Sequence, residues 1–213
     1  MGKFYPRRLI DDIVINMVVG IISHHHYKYV NMSKNRNIFV TSDVWFNRPM
    51  GEFSSMRNVE YNNMIIENWN DKVKDGDIVY VLGGFGIGDC YDIVLKLKGE
   101  IHFLNSIFNH ADSVFRDSIR ESVQNSVDKN LAKRVIFETN QILAIPKVDC
   151  VLSYFPLSDW LGKTTNTFCF HGYTSNHNLS ENNVSCKMEL WGNAPVDVKE
   201  IKNNFLTFKK LMQ

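Results

Sequence analysis

The sequence lacks an excess of charge of either sign. Its 24 lysines and arginines are balanced by 23 aspartates and glutamates among 213 residues, which gives a formal net charge of +1. Proteins that bind nucleic acids through the phosphate backbone carry clustered positive charge, and this chain has neither a basic stripe nor an acidic tail. The charge pattern therefore gives no signal for a nucleic-acid or membrane partner.

The sequence also lacks the cysteine spacing of a zinc site or a redox motif. Its four cysteines, at positions 90, 150, 169 and 186, form no C-x-x-C pair. Cys150 and Cys169 lie within apolar, strand-like runs, so we expect them to be buried thiols. Free buried thiols are typical of a reducing compartment. We therefore expect a cytoplasmic protein, which for a viral protein means the host cytoplasm or the virion.

The apolar run near the amino terminus, residues 13–22, is too short to cross a bilayer, which takes about 20 residues. It also lacks the small-residue cleavage site of a signal peptide. It is either a segment packed on the domain or part of an extension upstream of Met32. We divide the chain into an extension, residues 1–36, and a domain, residues 37–213. The histidines at 24–26 have no cysteine or carboxylate partners nearby, which favours an exposed polar turn over a metal site.

From residue 37 onward the pattern alternates between strands and helices. Buried strands are predicted at 38–42, 78–82 and 100–104, with helices at 59–73 and 91–97 between them. A polar, helical stretch follows at 112–133. Five further strands, assigned to a second sheet, are predicted at 135–139, 141–145, 150–153, 167–171 and 184–190.

Five short motifs follow these strands, at residues 41–46, 81–86, 103–110, 152–156 and 170–175. In order and spacing they resemble the calcineurin-like metallophosphoesterases, whose motifs read D-x-H, G-D, G-N-H-D, S-H and G-H-x-H. The resemblance covers about residues 37–203 and implies an α/β fold with two facing mixed β-sheets flanked by helices, a four-layer α-β-β-α sandwich. It also implies a site for two divalent metals such as Mn, Fe or Zn.

Most of the metal ligands that the resemblance implies are absent from this sequence. Asp43 stands at the first aspartate and is retained. Gly84, at the bridging aspartate, has no side chain at all. The other matched positions carry side chains that are poor ligands for such cations: Trp45 at the histidine of D-x-H, Tyr154 at the histidine of S-H, Tyr173 and Ser175 at the histidines of G-H-x-H, and Arg48 where some members carry a further histidine. We therefore expect no metal cofactor.

The G-N-H-D motif aligns in two ways. Without a gap it falls on residues 106–109 and loses its ligands. With a two-residue insertion it falls on Asn109 and His110. The gapless alignment is preferred because the neighbouring motifs are degenerate, and the bridging aspartate is missing in both.

Three functions remain open. The first is a catalytically degenerate binding or scaffold protein whose partner is another protein, with aromatic side chains filling or rimming the former cleft: Trp45, Phe46, Phe85, Tyr154, Phe155 and Tyr173. The second is metal-free phosphate or nucleotide binding through Arg48, aided by His171. The third is a hydrolase with a reduced metal site built from Asp43, His110 and His171. Asparagine-rich stretches and a likeness to small phage members indicate a bacterial or phage source.

Overall fold

A computed structural model describes residues 27–30, 36–47, 54–106, 110–173 and 182–211. Within these ranges, the side chains at 27, 54–58, 110–115, 206 and 208–211 are not described. No helix in the described ranges is both long and apolar enough to cross a membrane.

The described chain contains ten strands, five α-helices and three short 3₁₀ helices. The strands are β1 (Tyr27–Tyr29), β2 (Ile38–Thr41), β3 (Ile78–Val81), β4 (Glu100–Phe103), β5 (Val135–Phe137), β6 (Ile142–Ile145), β7 (Cys150–Ser153), β8 (Phe168–His171), β9 (Asn183–Ser185) and β10 (Val196–Asp197). The α-helices are α1 (Ser54–Lys72), α2 (Tyr91–Lys96), α3 (His110–Gln124), α4 (Lys129–Arg134) and α5 (Val198–Leu211). The 3₁₀ helices are Pro146–Val148, Lys163–Thr165 and Met188–Trp191.

The first sheet has the order β10-β2-β3-β4-β5. Strands β2 to β5 run parallel, and β10 pairs antiparallel with β2. The sequence pattern places β5 in the second sheet, and that prediction is wrong. A parallel neighbour needs a crossover connection, and α3 and α4 supply one that returns the chain beside β4. The helical stretch predicted at 112–133 forms two helices, α3 and α4. The second begins after Asp128, whose side chain caps it by accepting a hydrogen bond from the amide of Asn130 at 2.9 Å.

The second sheet has the order β1-β6-β7-β8-β9, antiparallel between β6 and β7 and parallel elsewhere. Its last strand ends at Ser185, so the strand predicted at 184–190 is wrong beyond that point. The chain there leaves the second sheet and pairs with Ser42 of the first. Strand β1 falls inside the segment assigned to the extension, and it pairs with β6 through three residues.

The two sheets face each other across a shared apolar core. Residues from both sheets fill it, among them Val40, Tyr80, Leu82, Leu143, Leu152 and Phe170. Helices α1 to α4 cover the other face of the first sheet, where Trp69 and Ile119 are fully buried. The outer face of the second sheet is covered by the loop that carries Trp160. The predicted fold class, α/β with two mixed sheets flanked by helices, is confirmed.

The carboxyl ends of β2 and β8 meet at Ser42. Its amide donates to the carbonyl of Cys186 at 2.9 Å, and its carbonyl accepts from the amide of Met188 at 3.0 Å. Its hydroxyl donates to the carbonyl of Gly172 at 3.1 Å. Backbone hydrogen bonds therefore join the two sheets at the edge where the motif residues lie, which gives that edge a fixed geometry.

Candidate functional site

The described motif residues lie in the last positions of strands or in the loops that follow them. Asp43 and Trp45 follow β2, and Gly84 follows β3. The amide of Asp43 donates to the carbonyl of Gly83 at 2.9 Å, and the amide of Trp45 donates to the carbonyl of Gly84 at 2.8 Å. These bonds continue the pairing of β2 with β3 into the loops, at the edge where open α/β sheets place their ligands.

The backbone at this edge is held in conformations that side chains rarely adopt. Asp43 has φ of 52° and Trp45 has φ of 54°, both in the left-handed region. That region costs a bulky residue such as tryptophan of order 1–3 kcal/mol, and it persists only where the surroundings impose it. Such conformations are concentrated at functional sites, which makes this loop the strongest candidate for one.

Gly84 leaves no room for a side chain. A Cβ placed on Gly84 would lie 2.6 Å from Oδ1 of Asp43, 2.9 Å from its Cα and 3.1 Å from Cε2 of Trp45. Asp43 and Trp45 therefore occupy the space beside the position that the resemblance assigns to the bridging aspartate. Gly84 itself has φ of 63°, which glycine adopts without strain.

Three half-buried aromatic side chains lie together after β7 and β8, and we call them the aromatic rim: Tyr154, Phe155 and Tyr173. Their ring centroids are 4.8 Å apart for Tyr154 and Phe155, 5.2 Å for Phe155 and Tyr173, and 6.0 Å for Tyr154 and Tyr173. These separations are those of interacting aromatic rings.

The rim lies against the junction of the two sheets. A Cβ placed on Gly172 would lie 3.2 Å from Cδ2 of Tyr154 and 3.1 Å from Cβ of Ser42. Trp45 is also half-buried, whereas Phe46 and Phe85 are fully buried and pack edge to face at 5.1 Å. Phe46 and Phe85 therefore belong to the core, whereas Trp45 and the three residues of the rim keep part of their surface exposed.

His171, at the end of β8, is buried and neutral. Its Nδ1 lies 2.9 Å from the carbonyl oxygen of Tyr173. A carbonyl only accepts, so Nδ1 carries the hydrogen and Nε2 keeps its lone pair. Burial lowers the pKa of His171 to about 4, although the hydrogen bond to Tyr173 opposes the shift. The ring thus retains an unprotonated nitrogen, the form that ligates metals.

Arg116 was not indicated by the sequence, because an arginine in a polar helical stretch carries no distinguishing signal. It extends from α3 to the carboxyl ends of β4 and β5 and is almost fully buried. Its guanidinium donates to the carbonyls of Phe103 at 3.2 Å, Leu104, and Glu138 at 2.9 Å. Together with Gly83 and Ser106 it lines a small cavity beside the site.

Several residues singled out from the sequence cannot be placed. Arg48, Asn109 and Ser175 lie outside the described residues, and His110 begins α3 with its side chain not described. Within the ranges that the structure describes, no group of three or more histidine, cysteine, aspartate or glutamate side chains is arranged to hold a metal ion.

No protein-family model matches the chain. A segment of 103 residues is 30% identical to an uncharacterized protein of Methanocaldococcus jannaschii, covering 46% of this chain and 50% of that protein. The chain therefore spans about half the length of this relative. In three dimensions it is similar to a protein of unknown function from Aquifex aeolicus, with a TM-score of 0.49 and 14% sequence identity over 79% of this chain and 99% of that one.

Proposed function

We propose that this protein is a binding module built on a metallophosphoesterase-like scaffold, with no two-metal hydrolysis at the site. The observation that carries the proposal is the close approach at Gly84. Two-metal hydrolysis needs a ligand that holds both cations about 3.5–4 Å apart. A side chain at position 84 would collide with Asp43, which is itself the one retained ligand.

The proposed binding surface consists of Trp45 and the aromatic rim. These four side chains are half-buried, so each offers ring surface while its position is fixed by the fold. Tyrosine and tryptophan are enriched among residues that dominate protein–protein binding, because large rigid rings gain much contact area at low entropic cost. We therefore propose another protein as the partner.

The first experiment tests for the missing chemistry. Purified protein is analysed for bound Mn, Fe and Zn and assayed for hydrolysis of bis(4-nitrophenyl) phosphate with each cation added. We expect neither a stoichiometric pair of metals nor metal-dependent turnover. Gly84→Asp should not recover activity, because Trp45 and Tyr173 still replace histidines. Two bound ions per chain, or metal-dependent turnover, would overturn the proposal.

The second experiment tests the surface. A photo-crosslinking amino acid is placed at position 154 and, as a matched control, at Tyr29, which is exposed on the edge strand β1. We expect cross-links in the source organism to one defined protein from position 154 and none to that protein from position 29. Substitution Trp45→Ala in the position-154 protein should weaken that cross-link. Equal labelling from both positions would contradict a specific surface at the rim.

A second candidate function is supported by His171. Its unprotonated Nε2 and the retained Asp43 are two of the three ligands that a reduced metal site would use. The metal analysis decides between the two functions, since one bound ion per chain that is lost in His171→Gln would favour the reduced site.

A further inference from the structure

Two polar side chains, Ser153 and His171, lie in the outer layer of the second sheet, which packs mainly through apolar side chains. Both are only 2% exposed. They are partners in the parallel pairing of β7 with β8. Val151 and Cys169, two residues before them on the same strands, belong to the outer layer. Because side chains alternate between the faces of a sheet, Ser153 and His171 point into that layer as well.

The hydroxyl hydrogen of Ser153 is donated to the aromatic rim. Its Oγ lies 2.6 Å from the carbonyl oxygen of Phe155 and 3.7 Å from Sγ of Cys169. A hydroxyl has one hydrogen and the carbonyl can only accept, so Ser153 accepts from the thiol of Cys169. Burial raises the pKa of Cys169 to about 11, so the thiol keeps the hydrogen that this arrangement requires. Cys169 therefore orients Ser153, and Ser153 holds the main chain of Phe155.

His171 holds the main chain of Tyr173 in the same way. Its Nδ1 donates to the carbonyl oxygen of Tyr173 at 2.9 Å. Nδ1 carries a hydrogen in this neutral tautomer and would also carry it in the imidazolium. The hydrogen bond is therefore available in both charge states of the ring.

The third member of the rim is held by main-chain donors. The carbonyl oxygen of Tyr154 accepts from the amide of Gly172 at 3.0 Å and from the amide of Tyr173 at 2.7 Å. These bonds join the loop after β7 to the loop after β8. Each residue of the rim therefore has its carbonyl oxygen bound to a donor, and for Phe155 and Tyr173 that donor is a buried side chain.

We infer that Ser153 and His171 are positioning residues of the aromatic rim: from inside the second sheet they fix the main chain of Phe155 and Tyr173, and through it the arrangement of the three rings. A polar group buried in an apolar layer is costly unless it is hydrogen-bonded, and both of these side chains are hydrogen-bonded to the rim. A surface that is fixed before binding loses less entropy on binding. The role of the rim in binding rests on the proposed function, whereas its positioning is a property of the free protein.

The first test uses two substitutions of His171. His171→Leu removes the donor and leaves an apolar side chain in an apolar layer, whereas His171→Asn keeps an N–H donor close to the position of Nδ1. The rings of Phe155 and Tyr173 have centroids 5.2 Å apart, so protein with ¹³C-labelled phenylalanine and tyrosine should show nuclear Overhauser contacts between them. We expect His171→Leu to lose these contacts and His171→Asn to keep them.

The second test uses the same spectra for Ser153. Ser153→Ala should also lose the contacts between the rings of Phe155 and Tyr173, and Ser153→Thr should keep them because it retains the hydroxyl. Trp160→Phe is the matched control. It removes a hydrogen bond from the same layer, the one that Nε1 of Trp160 donates to the carbonyl of Thr167 at 2.9 Å. Because that bond ends at Thr167 and not at the rim, Trp160→Phe should keep the ring contacts of the wild type.

Three results would overturn the inference. They are ring contacts that persist in His171→Leu or in Ser153→Ala, contacts that are lost equally in the variants that keep the donor, and an equal loss in Trp160→Phe. If His171→Leu does not fold, the comparison of Ser153→Ala with Ser153→Thr decides the question.

The cross-link from position 154 separates this inference from the proposed function. We expect the cross-link to be lost in His171→Leu and kept in His171→Asn. If the wild type forms no cross-link, or if a variant with displaced rings keeps it, the rim is not the binding surface and the proposed function is wrong. The ring contacts in the free protein still decide whether Ser153 and His171 position the rim.

Discussion

At the residue scale, the proposed function depends on the absence of a side chain at position 84. Gly84 has the left-handed φ of 63° and lies in contact distance of both Asp43 and Trp45. The same chain offers Gly88, with φ of 67° and no atom within 4 Å of an added Cβ. The two glycines therefore have a similar φ and differ in the space beside them.

This difference predicts the outcome of two substitutions. Gly88→Ala should cost about 1 kcal/mol, the strain of a left-handed alanine. Gly84→Ala should cost about 2–4 kcal/mol, because the new methyl group also displaces Asp43. Urea unfolding of the two variants measures the difference. Equal costs would show that the loop around Asp43 yields easily and that close packing at Gly84 is not decisive.

We expect Glu138 to contribute to the loss of stability in acid. Its pKa is lowered to about 2 in the folded protein, where His102 and Lys28 outweigh burial, and a glutamate in an unfolded chain has a pKa of about 4.3. Its contribution to the free energy of unfolding is thus present above about pH 4.3 and is lost as the pH falls toward 2. Glu138→Gln should lower the unfolding free energy by about 1–3 kcal/mol at neutral pH and flatten the acid limb of the stability curve.

His171 provides the reference for that measurement. Because burial lowers its pKa to about 4, the unfolded chain takes up a proton below about pH 6.5 while the folded protein does not. The free energy of unfolding that is lost through His171 begins to fall nearer neutral pH than the part lost through Glu138. The loss through His171 should be the same in wild type and in Glu138→Gln. An unchanged acid limb in Glu138→Gln would mean that Glu138 is not strongly paired in solution.

At the scale of elements, β1 attaches residues 27–30 to the domain. It pairs with β6, Val30 packs on the core between the sheets, and Lys28 reaches Glu138. A chain that begins at Met32 loses all three. Its unfolding free energy should fall by about 2 kcal/mol or more, from the exposure of apolar surface and from a buried carboxylate that has lost a partner.

Lys28→Met in the full chain removes the ion pair with Glu138 but keeps the other contacts of β1, so it measures the contribution of the ion pair to stability by itself. We expect it to account for only part of the loss, because β6 keeps its neighbour and Val30 stays packed. If the chain that begins at Met32 unfolds at the same denaturant concentration as the full chain, β1 contributes nothing to the stability of the domain.

The sequence predicted elements better than it predicted their partners. The strand at 38–42 and the helix at 91–97 each differ from β2 and α2 by a single residue at the end, because buried apolar runs and turn residues are local signals. The sheet of β5 was missed because its hydrophobic pattern is the same in either sheet. Strand β9 was overextended because the exit toward Ser42 is determined by a contact between sheets. The contacts that Glu138 makes with Arg116, His102 and Lys28 were missed for the same reason, because they join residues distant in sequence.

At the scale of the whole molecule, the four cysteines lie in different layers of the fold. Cys90 lies in the core under the helices, Cys150 and Cys186 lie between the sheets, and Cys169 lies on the outer face of the second sheet. All four are buried, which raises the pKa of Cys90 to about 12 and that of Cys169 to about 11. The predicted burial of Cys150 and Cys169 is confirmed.

The native protein should therefore react very slowly with a thiol reagent such as 5,5′-dithiobis(2-nitrobenzoate), and all four thiols should react after unfolding. Mass spectrometry of partly labelled protein identifies the order of reaction. We expect Cys169, beneath a single loop, to react first and the pair between the sheets to react last. Rapid labelling of Cys150 or Cys186 in the native state would contradict the packed interface between the sheets.

The junction at Ser42 has a mechanical consequence. On the β2 side the sheets are joined by main-chain hydrogen bonds, which carry no net charge and respond little to ionic strength. Lys28 and Glu138, on the far side, attract each other through charge. Any partial separation of the two sheets should thus be a rotation about an axis through Ser42 that widens the gap beside β5 first. Because Trp45 and the aromatic rim lie close to that axis, their spacing changes least, and the proposed binding surface should keep its shape while the opposite side of the sandwich fluctuates.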